Sequence, residues 1–139
     1  MFKYLRTINN ENHPTEISLI HAPVKDNIGG SVRAGTIISA HDGIMRDMYD
    51  GQFPRYLALT SKTYKEDKYV KCIRITRGMV LEADLDPSTN LGEVAVNTLC
   101  DITLDDYDKG AYLQVGLAPV FEIIDDSNKK NGKITVLVV

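Results

Sequence analysis

The chain has 139 residues, of which 43% are hydrophobic and 25% charged, with a formal net charge of -3; this is average globular composition and a length that suits one domain. Both signs of charge are mixed along it without a basic patch, which excludes a dedicated nucleic-acid surface, and no apolar run is long enough for a transmembrane helix. Lys3 and Arg6 are followed closely by Asn9, Asn10, Glu11 and Asn12, so no signal-peptide core forms, and the expectation is a soluble protein made in a cytoplasm.

Residues 1–33 mix Phe2, Tyr4, Leu5 and Ile8 with an Asn-rich patch and are broken by His13-Pro14, Ala22-Pro23 and Gly29-Gly30. Prolines and glycines interrupt every period here, so the stretch reads as an extended arm carrying one short strand at 16–21. Apolar residues without a pattern of their own need a surface to lie on, either a partner's or that of the chain's own domain. The body, 34–139, opens with a strand at 34–40 that the turn pair Asp42-Gly43 closes. Ile44, Met45, Met48 and Tyr49 then recur at helical spacing, which predicts a single short helix between Asp42 and Gly51. A second strand follows at 55–60, and the polar stretch 61–68 is an exposed connection.

From Tyr69 onward β-branched residues dominate, with Val70, Cys72, Arg74 and Thr76 on one face and Lys71 and Ile73 on the other. Gly78 can take a backbone angle closed to other residues, so 69–85 reads as a long bent strand or a hairpin. Residues 86–90 are turn chemistry, 93–97 and 99–104 alternate as short strands, and 105–110 form a charged turn. Strands at 112–115, 120–124 and 133–139 complete the chain, the last two joined by a loop whose Asn131-Gly132 favours positive backbone angles. Many short strands with turn signals about every 8 to 12 residues predict an all-β fold: a small β-barrel or β-tulip or sandwich, with an extended N-terminal arm and at most one short helix.

The residues able to do soft-metal or nucleophilic chemistry are His13, His21, His41, Cys72 and Cys100, and no two stand at a metal-ligand spacing. The cysteines read as small buried apolar groups, with a disulfide between them the less favoured alternative. His41-Asp42 has the composition of a base and its orienter, but His-Asp-Gly at a strand end is more simply a turn. Asp84, Asp86, Ser88, Asn90 and Glu93 lack the glycine and the late acid of a calcium loop, and Asp105, Asp106 and Asp108 read as a solvated turn. The seven tyrosines stand singly, without the basic runs of a base-stacking platform.

The order of the pieces is an N-terminal arm, Arg33-Ala34-Gly35-Thr36-Ile37-Ile38, a body containing Gly110-Ala111-Tyr112-Leu113-Gln114-Val115-Gly116, and a closing Ile134-Thr135-Val136-Leu137-Val138-Val139. It resembles the small head decoration, or auxiliary capsid, proteins of tailed bacteriophages over residues 33–139. In that family an Ala-Gly-Thr strand opens a small barrel or tulip, a Gly-x-x-Leu segment precedes an apolar Val-Gly, and a strand closes the chain; the segment 42–54 departs from that pattern. The resemblance implies a non-enzymatic virion protein that binds the outside of a preformed capsid and stabilises it. Its partners are then the major capsid protein and copies of itself on the lattice, with no cofactor, nucleic acid or membrane. Phe2, Tyr4, Leu5, Ile8 and Arg33 are the residues expected to meet the capsid. The alternative is a small β-barrel enzyme or ligand-binding domain in which His41, Asp42 and a cysteine converge in a pocket.

Overall fold

The computed structural model describes residues 1–8, 14–20, 31–46, 55–63, 69–104, 111–115 and 121–139. Among these residues the strands in chain order are β1 (Phe2–Thr7), β2 (Glu16–Ile20), β3 (Ser31–Val32), β4 (Ile37–His41), β5 (Ile44–Arg46), β6 (Arg55–Ala58), β7 (Lys62–Thr63), β8 (Tyr69–Arg74), β9 (Met79–Asp84), β10 (Leu99–Leu104), β11 (Ala111–Val115), β12 (Phe121–Asp125) and β13 (Lys133–Val138). Helix among them is confined to two single 3-10 turns, Leu91–Glu93 and Lys129–Asn131. The protein is all-β. The helix expected after Asp42 gives way to β5, because Asp42 and Gly43 both hold positive φ (51° and 76°). That is the two-residue turn whose twist returns the chain antiparallel beside β4, with His41 opposite Ile44. Residues 47–51 of the expected helix lie outside the described residues.

Two compact units divide the described residues: 1–8, 76–104, 111–115 and 121–139 form one, and 14–20, 31–46, 55–63 and 69–75 the other. The first is built on an antiparallel sheet in the order β1-β9-β13-β12-β10-β11. Alternation puts one set of side chains on its inner face: Phe2, Leu81, Ala83, Cys100, Ile102, Leu113, Phe121, Ile123, Ile134, Val136 and Val138 are all buried. The ring centroids of Phe2 and Phe121 lie 5.8 Å apart at an interplanar angle of 27°, an offset stack. The sheet rolls, since Leu113 on its last strand makes a parallel bridge to Leu85 just after β9, and Leu113 C=O accepts from Asp86 N–H at 2.9 Å.

In the second unit the sheet runs β2-β5-β4-β6-β8, and β8 pairs in turn with β2. The seam between β2 and β5 is one parallel pair, Ile20 with Ile44, reinforced by Ile20 N–H donating to Gly43 C=O at 2.7 Å. Inside it Leu19, Val32, Ile38, Ala40, Ala58, Val70 and Cys72 form a closed apolar cluster. β3 and β7 add a separate two-stranded ribbon.

The arm expected over 1–33 is thereby corrected at its described residues, 9–13 and 21–30 lying outside them. β1 pairs along its length with β9, and β2 with β8, so these residues are sheet strands that close cores of their own chain. The domain division changes with it: in place of one body at 34–139, the chain leaves the first unit after β1 and returns to it at Thr76. The stretch around Gly78 (φ 89°) is where it returns, and β8 and β9 are not a hairpin because each pairs with other strands. A strand's own alternation states which face is buried but not which neighbour it takes. The expected strand at 93–97 is a 3-10 turn and a β-turn instead, capped by Asn90 Oδ1 accepting from Gly92 N–H at 3.0 Å. The final hairpin stands as expected, with Gly132 alone of the turn pair at positive φ (73°).

Candidate functional site

A bulge shapes β1. Lys3 faces Glu82 and Tyr4 faces Leu81, but Arg6 then faces Val80, so Leu5 is the extra residue. Without it, strict alternation from Phe2 and Tyr4 would turn Arg6 toward the core; with it, Thr7 takes that face, and the Tyr4 and Thr7 hydroxyls share a hydrogen bond of 3.0 Å. The residues expected to bind a partner therefore divide. Phe2 is 4% exposed and stacked on Phe121, so it is a core residue and not a contact residue. Tyr4 is half-buried, while Leu5 and Ile8 remain 41% and 38% exposed on the outer strand. Arg33 is exposed in the other unit, at a turn where its C=O accepts from Thr36 N–H (3.1 Å).

Both cysteines are free and buried. Cys72 sits in the apolar cluster with its Sγ directed at Val70 C=O (3.6 Å), and burial pushes its thiol up to about 12; the same cause pushes Cys100 up to about 11. A thiol held protonated in a packed core is neither nucleophile nor ligand near neutral pH. Asp42 serves the β4–β5 turn, and His13 and His21 lie outside the described residues. Thiol labelling checks this packing: with a disulfide reagent at pH 8 neither cysteine of the folded protein is expected to react beyond the rate of unfolding, and both react at once in denaturant. Immediate labelling of the native protein would remove the structural role. Because the folded pKa is raised, the stabilisation from keeping these thiols neutral is complete below about pH 9 and is lost as the pH rises toward the folded values.

The acidic loop is likewise spent on its own fold. Asp86 Oδ1 accepts from Ser88 N–H and Oγ–H (2.8 and 2.7 Å), an Asx turn. Asp84 accepts from Lys133 Nζ at 2.6 Å and from the Met1 amine at 2.8 Å. Burial opposes ionisation of Asp84, but the hydrogen bonds from Lys133 and the amine outweigh it and hold its carboxyl below the usual range. A depressed carboxyl contributes stability above its unfolded pKa that is lost as the pH falls. Asp84→Asn is therefore expected to cost about 0.2 to 1 kcal/mol at neutral pH, measured by urea unfolding, with wild type and variant converging as the pH falls below the ordinary carboxylate range and through the lowered folded value. Among the described residues no three His, Cys, Asp or Glu side chains come together as a metal site. The Asp105, Asp106 and Asp108 cluster lies outside them. A shallow cleft beside Glu82, Asp125, Asn128 and Lys133 holds about 30 Å³, far short of a small-molecule site.

Sequence reasoning missed the segment 91–99. Leu91, Val96 and Leu99 are 38%, 47% and 46% exposed, yet the backbone that carries them is pinned. Val94 is fully buried, Lys129 Nζ donates to Val94 C=O at 2.8 Å, and Asn97 N–H reaches Ile123 C=O at 2.8 Å. The visible signal is the uncharged run from Val94 to Cys100, which spans the end of one expected strand, 93–97, and the start of the next, 99–104. Compared with known protein families, with curated proteins and with solved structures, the chain matches none.

Proposed function

We propose that the protein is a capsid decoration protein: it binds the outside of a preformed phage shell, with the major capsid protein as its partner, and stabilises that shell without catalysis. One observation carries the reading. Leu5 and Ile8 at β1, and Leu91, Val96 and Leu99 in the segment 91–99, stay exposed on hydrogen-bonded backbone of the six-stranded unit, and apolar side chains held out on ordered backbone are available as anchors for a protein partner. Of the segments that carry the family resemblance, Ala111–Val115 and the closing Lys133–Val138 are strands and support it as fold-level analogy, whereas Ala34-Gly35-Thr36 is a turn ahead of the strand Ile37–His41.

The mechanism is mass action. A protein that binds only the assembled lattice stabilises it by RT ln(1 + [L]/Kd), roughly 4 kcal/mol at a thousandfold excess over Kd, and many copies act together. Deleting the N-terminal residues is a poor test, because it removes a core phenylalanine and a sheet strand along with any contact surface. The surface variant Leu5→Ser/Ile8→Ser leaves Phe2 in place. Sedimentation with undecorated shells should show full occupancy by the wild type and about thirtyfold weaker binding by the variant, at on the order of 1 kcal/mol for each of the two partly exposed anchors. Absence of wild-type binding would end the decoration reading.

A further inference from the structure

β1 differs in composition from the strands inside the sheet. Lys3 and Arg6 are exposed alongside Leu5 and Ile8, and the strand has no acidic residue. Among the described residues it is a terminal strand of the sheet, with β9 on one side. Met1 C=O accepts from Asp84 N–H (3.1 Å) at one end, and Ile8 N–H donates to Gly78 C=O (2.9 Å) at the other. By the alternation of an antiparallel ladder, the peptide groups of the neighbouring Phe2 and Thr7 are directed to the opposite side, where none of the described strands pairs. The bulge compresses the spacing of the two cations: Lys3 and Arg6 face Glu82 and Val80, positions only two apart on the partner strand. Glu82 is itself shared with Lys133 at 4.0 Å.

We propose that the edge of β1 away from β9, paired with no described strand, is a docking site for an extended acidic segment of a partner protein. That segment is added to the sheet as one further strand, with acidic side chains at alternate positions facing Lys3 and Arg6. The inference rests on the reading of the protein as a binding module. Charge decides between occupants. A second copy paired through its own β1 would set cations against cations, and like charges directly opposite destabilise a strand pair. An acidic strand is attracted by both, while main-chain hydrogen bonds and the apolar side chains of Leu5 and Ile8 supply the contact. The two cations that keep copies apart thus select the partner.

The test uses the full chain and two synthetic peptides, Thr-Val-Glu-Val-Glu-Val-Thr and its counterpart with both glutamates replaced by lysine, followed by amide NMR. The acidic peptide should shift the amides of residues 2–8 and bind roughly tenfold more tightly than the basic one, as two facing charge pairs imply. The charge-reversed Lys3→Glu/Arg6→Glu protein, whose unchanged thermal midpoint is checked first, should invert that preference. Equal binding of the two peptides, no shift in β1 at millimolar peptide, or a β1-paired dimer in sedimentation equilibrium would each overturn the proposal. Shells separate it from the decoration reading. If wild type and charge-reversed protein occupy shells equally, decoration stands and the acidic-edge inference falls; if the peptide result holds and shells stay bare, the reverse follows.

Discussion

Phe121→Ala is expected to destabilise the protein by about 3 to 5 kcal/mol, the cost of emptying a buried phenylalanine site. That is a large share of the 5 to 15 kcal/mol typical of a folded domain. Phe121 is fully buried, faces Val138 on β13 and Cys100 on β10, and lies against the ring of Phe2. Its loss opens a cavity at the centre of the inner face. Phe2→Ala should cost a comparable amount, although this residue stands near the start of the chain where fraying is the usual expectation. The double variant should fall short of the sum of the two by about 0.5 to 1.5 kcal/mol, the coupling of an aromatic pair. Urea unfolding of the four proteins measures all three quantities. A cost below 1 kcal/mol for Phe2→Ala, with no coupling, would mean that β1 is not seated in the core, and would return the N-terminal residues to the role of a loose arm.

Excising residues 14–75 is expected to leave a folded six-stranded unit. β1 and β9 are antiparallel neighbours, with Thr7 opposite Met79 and Ile8 N–H bonded to Gly78 C=O at 2.9 Å. The other unit is therefore inserted in the connection of what is otherwise a β-hairpin. Joining His13 to Thr76 leaves a short connection between Ile8 and Gly78, of a length that adjacent antiparallel strands accept. It also replaces a long loop by a short one, which lowers the entropic cost of closing it. The removed piece has the same property: its first and last strands, β2 and β8, pair with each other, Glu16 opposite Ile73, so its two ends leave side by side. The shortened protein should give dispersed amide resonances and one cooperative unfolding transition. Collapsed resonances and a gradual transition would show that the six-stranded unit depends on residues 14–75 for its core.

Much of the fold is legible in the residues, wherever its cause is local. The alternation at 99–104, the Asn131-Gly132 turn and the apolar run after Lys133 predict β10, the final loop and β13 nearly to their ends. Asp42-Gly43 announces its turn. The helix expected after it fails because four apolar residues at helical spacing weigh less than a turn geometry that sends the chain back as a strand. Of the candidate binding residues, Leu5 and Ile8 are at the surface and Phe2 is not. Alternation sets Phe2 and Leu5 on opposite faces of β1, but which face lies inward, and that Thr7 and not Arg6 shares it past the bulge, is decided only by pairing with β9.

The sequence by itself determined that this chain is all-β, that it turns at Asp42-Gly43 and at Asn131-Gly132, and that its cysteines are packing groups, since pleat alternation, turn chemistry and burial propensity act over a few residues. Tertiary structure alone decided that the N-terminal residues are a core strand, that a second unit is inserted between β1 and β9, and that β8 and β9 part company at Gly78. The physical reason is that an alternating strand specifies a buried face and leaves its hydrogen-bonding edges unassigned. Neighbours such as Phe2 and Ala83, or Ala83 and Ile134, are chosen by contacts far apart in the chain.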